Sequence, residues 1–339
     1  MSLATRRLRL RRGGDLAISA LGFGAAPIGN MHRALAEAEA LETIEAAWDA
    51  GIRYFDTAPL YGHGLSEQRV GAALRGWSRD SFVVSTKVGR VLDPCAPGEQ
   101  DAGIYVDVPA VRARFDYSYD GVMRAFEGSL FRLGLDRVDI LYVHDVDAHT
   151  HGSDAAAEQR IRELLDLGGW RALDQLRSSG AVRAIGAGVN ACRPCERLLE
   201  LADPDVFLLA GRYTLLDRSA AAHLLPACEA RGVGIVIGGP YNSGVLATGA
   251  VAGARYDYAP APEAVLDRVR ALEAVCRDQG VKLADAALQF PISHPAVVSV
   301  IPGGQTADEV RRNVAGFRNP LPAGLWPAVD RAAAQPANV

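Results

Sequence analysis

Short runs of apolar residues alternate along the chain with longer segments in which apolar residues recur every three or four positions. Short apolar runs indicate buried strands, whereas recurrence at three and four positions indicates amphipathic helices. The runs predict strands at residues 21–24, 53–55, 82–85, 138–142, 184–186, 206–209, 234–237 and 297–301. The longer segments predict helices at residues 34–50, 66–74, 119–133, 169–178, 196–201, 220–229, 263–277, 283–290 and 308–315.

The chain therefore contains eight predicted units of a strand followed by a helix. Alternating strands and helices indicate an α/β fold with a parallel sheet, and eight such units close a (β/α)8 TIM barrel. An open doubly wound sheet fits less well, because residues 22–27 lack the third glycine of the dinucleotide fingerprint and carry Pro27. Arginines alternate with leucines before Gly13 and Gly14, which predicts a β-hairpin over 6–19.

No shift in composition divides the chain, so we expect a single domain over residues 1–339. The barrel is expected at about 20–318 and a C-terminal tail at 319–339. We assign the excess over a minimal barrel to the hairpin, to additional C-terminal helices and to three loops after strands. These loops lie at about 89–117, 145–168 and 239–262, on the face where barrel enzymes carry their active sites.

Composition excludes several classes of partner. The chain has 339 residues and a formal net charge of −4, from 36 basic and 40 acidic side chains, which argues against a nucleic-acid partner. No window of about 18 apolar residues is present, so we expect no membrane partner. The five cysteines are scattered and no secretory apolar segment precedes the first strand, which predicts a reducing, cytoplasmic location.

Four polar residues follow predicted strands and are the first candidates for chemistry: Asp56, Tyr61, Lys87 and His144. A barrel directs such residues into one mouth. Tyrosine has an ordinary pKa near ~10, and a nearby cation favours its phenolate form. Lys87 can supply that cation, Asp56 can pair with the lysine, and a neutral His144 can donate a hydrogen bond to a carbonyl or alcohol oxygen. The set therefore suits proton exchange during the interconversion of C=O and CH–OH.

At these residues the chain resembles the aldo-keto reductase family. The matching motifs are Phe-Asp-Thr-Ala-Pro-Leu-Tyr-Gly (55–62), Ser-Thr-Lys-Val-Gly (85–89), Asp-Ile-Leu-Tyr-Val-His (139–144), Gly-Ala-Gly-Val-Asn (186–190) and Ile-Pro-Gly-Gly (301–304). The motifs occur in the family's order, and the resemblance covers about residues 18–318. The resemblance implies a (β/α)8 barrel whose bottom the hairpin caps, a nicotinamide cofactor across the top, and a catalytic tetrad of Asp56, Tyr61, Lys87 and His144. No metal ligand is predicted.

The resemblance also implies a cofactor site, since no side chain carries a hydride. Asn190 corresponds to the family residue that binds the carboxamide, and the glycine-rich loop at 239–244 resembles the segment that covers the pyrophosphate. Gly303, Gly304, Gln305 and Asn313 correspond to the places where family members hold the adenosine end of the cofactor. The full predicted cofactor set is Gly24, Asn190, Gly239, Pro240, Asn242, Ser243, Gly244, Gly303, Gly304, Gln305, Glu309 and Asn313.

Three departures from the family pattern affect this site. Gly238 stands where an aromatic residue often stacks on the nicotinamide, and Ala210 stands where a glutamine is common, so Tyr241 or Tyr213 is expected to supply the stacking surface. Family members that prefer NADP usually carry Arg or Lys after the eighth strand, whereas this chain carries Glu309. A carboxylate repels a 2′-phosphate, so we expect NAD to be preferred over NADP.

The segment around Phe115–Arg124, together with Asp145 after the histidine, is similar to the same segment in one branch of the family. Members of that branch oxidise pyridoxal or free aldoses, namely L-galactose and aldoses of the L-fucose or D-threo type. This implies oxidation of a cyclic hemiacetal to a lactone with Tyr61 as general acid and base. Candidate substrate contacts in the long loops are His63, Tyr105, Arg114 and Asp145.

Several alternatives stay open at this stage. Pyridoxal oxidation and an NADPH-linked aldehyde reductase share the tetrad, and the partner in each case is a small sugar or aldehyde. A metal-dependent hydrolase is disfavoured, because the histidines after His144 have no second cluster of ligands. A non-catalytic barrel is disfavoured by the intact tetrad. The sequence leaves the oligomeric state open, with a homodimer as one alternative.

Overall fold

The computed structural model describes residues 3–334. Its strands are β1 (Thr5–Arg9), β2 (Asp15–Ser19), β3 (Phe23–Gly24), β4 (Tyr54–Asp56), β5 (Val83–Val88), β6 (Arg90–Pro94), β7 (Val111–Phe115), β8 (Ile140–His144), β9 (Ala184–Val189), β10 (Val206–Ala210), β11 (Gly234–Gly238), β12 (Arg255–Tyr256), β13 (Ala259–Pro260) and β14 (Val297–Ile301). Its α-helices are α1 (Glu37–Asp49), α2 (Leu65–Leu74), α3 (Tyr119–Leu133), α4 (Ala148–His151), α5 (Asp154–Asp166), α6 (Gly169–Ser178), α7 (Cys192–Leu201), α8 (Leu224–Arg231), α9 (Val245–Thr248), α10 (Glu263–Asp278), α11 (Leu283–Gln289), α12 (Ala307–Arg318) and α13 (Leu325–Ala334).

Eight strands form one sheet in the order β14-β11-β10-β9-β8-β5-β4-β3. The neighbours in this sheet pair in parallel. The ring closes between the first and last strands, because Gly22 N donates to Val300 O at 2.9 Å and Gly24 N donates to Pro302 O at 3.0 Å. The predicted (β/α)8 TIM barrel is therefore confirmed.

The predicted N-terminal hairpin is also present. β1 and β2 pair antiparallel, with Leu8 opposite Leu16. Leu8, Leu16 and Ile18 are buried together with residues that point into the barrel, such as Tyr54 and Tyr142. The hairpin therefore closes one end of the barrel with apolar side chains, which removes that end as a binding site and leaves the opposite mouth open.

Two apolar cores stabilise the fold. The smaller one fills the inside of the barrel, and the larger one lies between the strands and the surrounding helices. The local sequence also determines where the helices between the strands begin and end. For α3, the Ser118 side chain accepts a hydrogen bond from Gly121 N at the start, and Gly134 adopts a left-handed conformation with φ of 61° at the end.

The three long stretches after strands are more ordered than predicted. The stretch at 89–117 contains the antiparallel pair β6 and β7, and the stretch at 145–168 contains α4 and α5. The third stretch, 239–262, contains α9 and the short pair β12 and β13. Ser153 caps α5 by accepting from Ala156 N, a local signal that the sequence analysis missed.

Other element boundaries differ from the prediction by a few residues. Helix α7 begins at Cys192 rather than at 196, because Pro194 is tolerated within a first helical turn. Helix α8 begins at Leu224, after a short 3-10 turn at Ser219–Ala221. The predicted tail at 319–339 contains α13, and its last five residues lie outside the described part of the chain.

Across residues 3–334, no helix is long and apolar enough to cross a membrane.

Candidate active site

A buried ion pair lies at the carboxyl ends of β4 and β5. Lys87 Nζ donates to Asp56 Oδ2 at 2.8 Å and to the carbonyl of Thr57 at 2.9 Å. Asp56 Oδ1 accepts a second hydrogen bond from Ser85 Oγ at 2.6 Å. Burial raises the pKa of Asp56, whereas the Lys87 ammonium and the Ser85 hydroxyl lower it. These partners hold the ammonium at a fixed position in the barrel mouth.

Tyr61 lies directly beside this pair. The centre of its ring is 4.5 Å from Lys87 Nζ and 5.8 Å from the centre of the His144 ring, which it meets edge-on at 86°. The net shift of the Tyr61 pKa is upward, opposite to the effect expected from Lys87 alone. Burial raises the pKa of Tyr61 well above its ordinary value, and the Asp56 carboxylate raises it further. Tyr61 is therefore a phenol at neutral pH.

His144 is the last residue of β8, and its ring lies against the ring of Tyr61. Burial lowers the pKa of His144 well below its ordinary value, and the positive charges of Lys87 and Arg90 lower it further. The ring is therefore neutral at neutral pH. Its Nδ1 is buried and has no hydrogen-bond partner within the described part of the chain, and its Nε2 lies 3.4 Å from Asp145 Oδ2.

Tyr61, Lys87 and His144 line one cavity of about 570 Å³, and Tyr105 and Asp145 line it too. The other two predicted substrate contacts do not reach it. His63 is buried and its Nδ1 is bonded to the carbonyl of Val111 at 2.7 Å, beneath the β6–β7 pair. Arg114 is held outside by Asp93 at 2.9 Å and Asp116 at 3.2 Å.

A second cavity of about 390 Å³ adjoins the first, and Tyr61 and Tyr258 line both. It contains most of the predicted cofactor residues, namely Gly24, Gly239, Pro240, Ser243, Gly244, Gly303, Gly304, Gln305 and Glu309. Three predicted residues lie elsewhere. Asn190 lines the first cavity, and Asn313 lines a neighbouring groove, where its Oδ1 accepts from Tyr241 OH at 2.8 Å. Asn242 is buried and donates to the carbonyl of Gly211 at 3.1 Å.

The loop 239–244 follows β11 and borders the second cavity. Gly239, Asn242, Ser243 and Gly244 all adopt left-handed conformations, with φ between 46° and 100°. Asn242 N donates to the carbonyl of Gly239 at 3.0 Å and Gly244 N to the carbonyl of Tyr241 at 3.1 Å, so these contacts hold the loop in tight turns. A Cβ added at Gly244 would meet no atom within 4 Å, so a ligand can approach the backbone closely there. The two adjoining cavities and this loop fit a nicotinamide dinucleotide.

The predicted stacking surface is only partly present. Tyr241 lines the second cavity, whereas Tyr213 packs against Phe290 at 5.0 Å between ring centres and does not line either cavity. Gly238 lies against Leu208, since an added Cβ would approach the leucine side chain at 3.1 Å.

Sequence reasoning missed four residues that line the mouth: Arg90, Leu208, His149 and Tyr258. Arg90 directly follows Gly89 at the end of β5, so its position after a barrel strand was an available signal. Tyr258 is brought over the mouth by the β12–β13 turn, and its backbone N donates to Ser243 Oγ at 2.9 Å. Nothing in the local pattern indicates that placement.

Among the described residues, no group of three or more His, Cys, Asp or Glu side chains could hold a metal ion.

Comparison with known proteins agrees with this architecture. The sequence profile of the Aldo/keto reductase family matches residues 20–334. The chain is 43% identical over 317 residues to D-threo-aldose 1-dehydrogenase from a Pseudomonas species, covering 92% of this chain and 93% of that protein. It is 41% identical over 333 residues to pyridoxal 4-dehydrogenase from Microbacterium luteolum, covering 95% and 96%.

A solved structure of an aldo-keto reductase from Bacillus halodurans in its holo form superposes with a TM-score of 0.75 at 25% identity, over 98% of both chains. Members of this family use a nicotinamide cofactor and act on small molecules. With a profile that covers nearly the whole barrel and two relatives above 40% identity, the chain belongs to the aldo/keto reductase family and is an oxidoreductase that acts on CH–OH or carbonyl groups.

Proposed function

We propose that this protein oxidises a free aldose of the L-fucose or D-threo type at its anomeric carbon, giving the lactone. The observation that carries the proposal is the cluster of Tyr61, Lys87 and His144 in one cavity, with Asp56 holding the lysine. Support for the direction and the substrate class comes from the relatives named for aldose and pyridoxal dehydrogenation.

Tyr61 is proposed to exchange the proton of the reacting oxygen. Its hydroxyl is a phenol at neutral pH, so it donates a proton when a carbonyl is reduced and must lose one before it accepts the anomeric proton. The Lys87 ammonium beside the ring stabilises the negative charge that forms on the tyrosine.

His144 is proposed to orient the same oxygen, because its neutral ring can donate one hydrogen bond without adding charge. When bound, the nicotinamide cofactor would supply the acceptor for the hydride of the anomeric carbon. A cyclic hemiacetal already contains the ring, so loss of a proton and a hydride gives the lactone without addition of water.

We propose that Asn190 would hold the nicotinamide end of the cofactor in the first cavity and that the loop 239–244 would hold the pyrophosphate in the second. Gly24, the segment Gly303, Gly304 and Gln305, and Asn313 would hold the adenosine end. NAD is proposed as the preferred form, because the Glu309 carboxylate lies in this cavity and would repel a 2′-phosphate. Glu309 also accepts from Gln305 N at 2.7 Å, which holds the carboxylate in place. Cofactor titration tests this point, since a lower apparent KM for NADP than for NAD contradicts it.

Pyridoxal oxidation is a second candidate, favoured by the 41% identity to pyridoxal 4-dehydrogenase. Pyridoxal also closes to a cyclic hemiacetal, so the same four residues can serve it.

One experiment separates these activities. The protein is incubated with NAD and a panel of L-fucose, L-galactose, D-arabinose and pyridoxal, and the reduced cofactor is followed by absorbance. We expect the highest kcat/KM with an aldose, and trapping of the product with hydroxylamine identifies a lactone. A higher value with pyridoxal would establish the second candidate. Turnover only in the reverse direction, with NADPH and an aldehyde, would contradict both.

We also propose that residues 1–339 act as one domain in the cytoplasm with a small-molecule substrate as the partner. Size-exclusion chromatography with light scattering decides between a monomer and a homodimer.

A further inference from the structure

An arginine–aspartate pair lies in the wall of the substrate cavity, beside the catalytic histidine. Arg90 Nη2 donates to Asp145 Oδ2 at 2.8 Å, and both side chains are nearly buried. The same carboxylate oxygen lies 3.4 Å from His144 Nε2. Both members of the pair line the cavity that contains Tyr61 and Lys87. The pair therefore borders the place where the reacting oxygen is proposed to bind.

The Asp145 carboxylate has one further hydrogen-bond partner, and Arg90 has a further contact of its own. Asn190 Nδ2 donates to Asp145 Oδ1 at 3.2 Å, and the Arg90 guanidinium lies 4.2 Å from the centre of the Phe115 ring. These contacts leave capacity for a ligand, because an ionised carboxylate has about four acceptor sites and the protein occupies one on each oxygen. The Arg90 guanidinium lies against the Asp145 carboxylate in the cavity wall and is opposite in charge to it.

The backbone at Asp145 is also unusual. Its φ is 54°, in the left-handed region, and its N–H donates to the carbonyl of Gly188 at 2.9 Å. A residue other than glycine in this region carries backbone strain, and such strain concentrates at functional sites. A left-handed residue immediately after β8 turns the Asp145 side chain towards the cavity instead of continuing the strand.

We propose that Asp145, held by Arg90, accepts a hydrogen bond from the hydroxyl on the carbon next to the reacting carbon and so selects substrates that carry a free hydroxyl there. The proposal rests on the function proposed above. If the anomeric oxygen bonds to Tyr61 and His144, a carboxylate 3.4 Å from His144 Nε2 meets the neighbouring oxygen of the sugar. A carboxylate accepts and cannot donate, so it recognises a hydroxyl and disfavours an ether or an anion at that position.

The test compares L-fucose with 2-deoxy-L-fucose, which lacks only this hydroxyl. A hydrogen bond from a neutral donor to a charged acceptor predicts that the protein prefers L-fucose by about 10- to 100-fold in kcat/KM. In Asp145→Ala the ratio of the two kcat/KM values should fall to about 1, and because both sugars are compared in the same variant, a change common to both cancels in this ratio. Asp145→Asn keeps an acceptor oxygen and should show an intermediate preference. Thermal unfolding of each variant, measured by circular dichroism, checks that the barrel is intact.

Two results would overturn the proposal: equal kcat/KM for both sugars in the unchanged protein, or a preference that survives in Asp145→Ala. If neither sugar is oxidised, the proposed activity is wrong for L-fucose, and calorimetric titration with each sugar in the presence of NAD still tests Asp145. A ratio of dissociation constants near 1 would then contradict the role of this residue, and tighter binding of L-fucose that Asp145→Ala abolishes would support it. If Asp145→Ala fails to fold, the ratio in the unchanged protein and in Asp145→Asn decides.

Discussion

The ammonium of Lys87 lies 2.8 Å from Asp56 Oδ2 and 4.5 Å from the centre of the Tyr61 ring. A single cation therefore contacts both a carboxylate and the face of the aromatic ring that is proposed to exchange protons. Because burial and the Asp56 carboxylate raise the pKa of Tyr61, the tyrosine stays protonated at rest. The lysine contributes most when negative charge forms on the phenol oxygen.

Replacement of Tyr61 by phenylalanine removes the proposed proton donor and acceptor and leaves the cavity wall. We expect kcat to fall by about 10²- to 10⁴-fold, the range that general acid–base catalysis supplies. The affinity for NAD, measured by calorimetry, should change little, since only the hydroxyl is lost. A near-normal kcat in Tyr61→Phe would remove Tyr61 from the mechanism.

Ser85 connects the ion pair to the barrel interior. Its Oγ donates to Asp56 at 2.6 Å and lies 3.0 Å from Tyr54 OH, which in turn lies 3.2 Å from Tyr142 OH. In Ser85→Ala the pKa of Asp56 should rise further, because a hydrogen bond that favours the carboxylate is lost. We expect kcat to fall by about 10- to 100-fold through misplacement of Lys87.

The matched control for this change is Ser299→Ala. Ser299 is equally buried on a barrel strand and donates to the carbonyl of Ser19 at 2.9 Å, on the hairpin side of the barrel. Both variants should lose about 1–3 kcal/mol of unfolding free energy. Only the change at Ser85 should move the pH profile of kcat, and an equal loss of kcat in the two variants would show that Ser85 acts through stability alone.

The pH dependence of the two reaction directions follows from the pKa shifts of Tyr61 and His144. The raised pKa of Tyr61 keeps the phenol protonated beyond its ordinary value near ~10, so kcat for oxidation should rise from pH 7 to 10 without a plateau. The lowered pKa of His144 keeps its ring neutral, so kcat for reduction should show no change near the ordinary histidine value of ~6.5. Stopped-flow rates in both directions measure these profiles, and a titration near pH 6.5 would contradict a neutral His144.

Asp205 is a buried carboxylate outside the active site. It accepts from Arg177 Nη1 at 2.8 Å, from Ile185 N at 3.0 Å and from Arg11 N at 2.6 Å. Asp205→Ala removes the one fully buried carboxylate that pairs with Arg177 and, among the described residues, leaves the arginine with only the more exposed Asp174 and Asp203. It should lower the unfolding free energy by about 3–5 kcal/mol in urea. Asp203→Ala, which removes an exposed partner of the same arginine, should cost less than about 1 kcal/mol. Similar losses for the two variants would show that burial of the Asp205 pair does not determine its contribution.

The position of the tetrad could be predicted from sequence, because the carboxyl ends of all the parallel strands of a barrel meet at one mouth. Asp56, Lys87 and His144 each end a strand with a clear apolar run, and their convergence depends only on the sheet order. The pKa of Tyr61 could not be predicted in this way. The sequence indicates which charges are near, whereas the depth of burial that opposes the phenolate depends on the folded cavity.

The loop contacts could be predicted only in part. Tyr105 and Asp145 reach the cavity, but Arg114 is turned away by Asp93 on the neighbouring strand of the β6–β7 pair. The apolar and basic residues of β7 alternate, which is typical of a strand, but the alternation identifies neither the partner strand nor the register. The contact between Arg114 and Asp93 could therefore not be predicted. Tyr258 illustrates the same limit, because its place over the mouth depends on a left-handed turn at residues 257 and 258.

The closure of the barrel between Gly24 and the segment after β14 has a consequence for biosynthesis. These two ends of the ring are separated by most of the chain, so during synthesis on the ribosome the growing sheet keeps an unpaired edge at β3 until the eighth strand emerges. Gly24 and Gly303 also lie on opposite sides of that seam and both line the second cavity. A nascent chain therefore acquires the complete cavity only when the final strand pairs with the first. Chaperones are expected to matter most at this closing step.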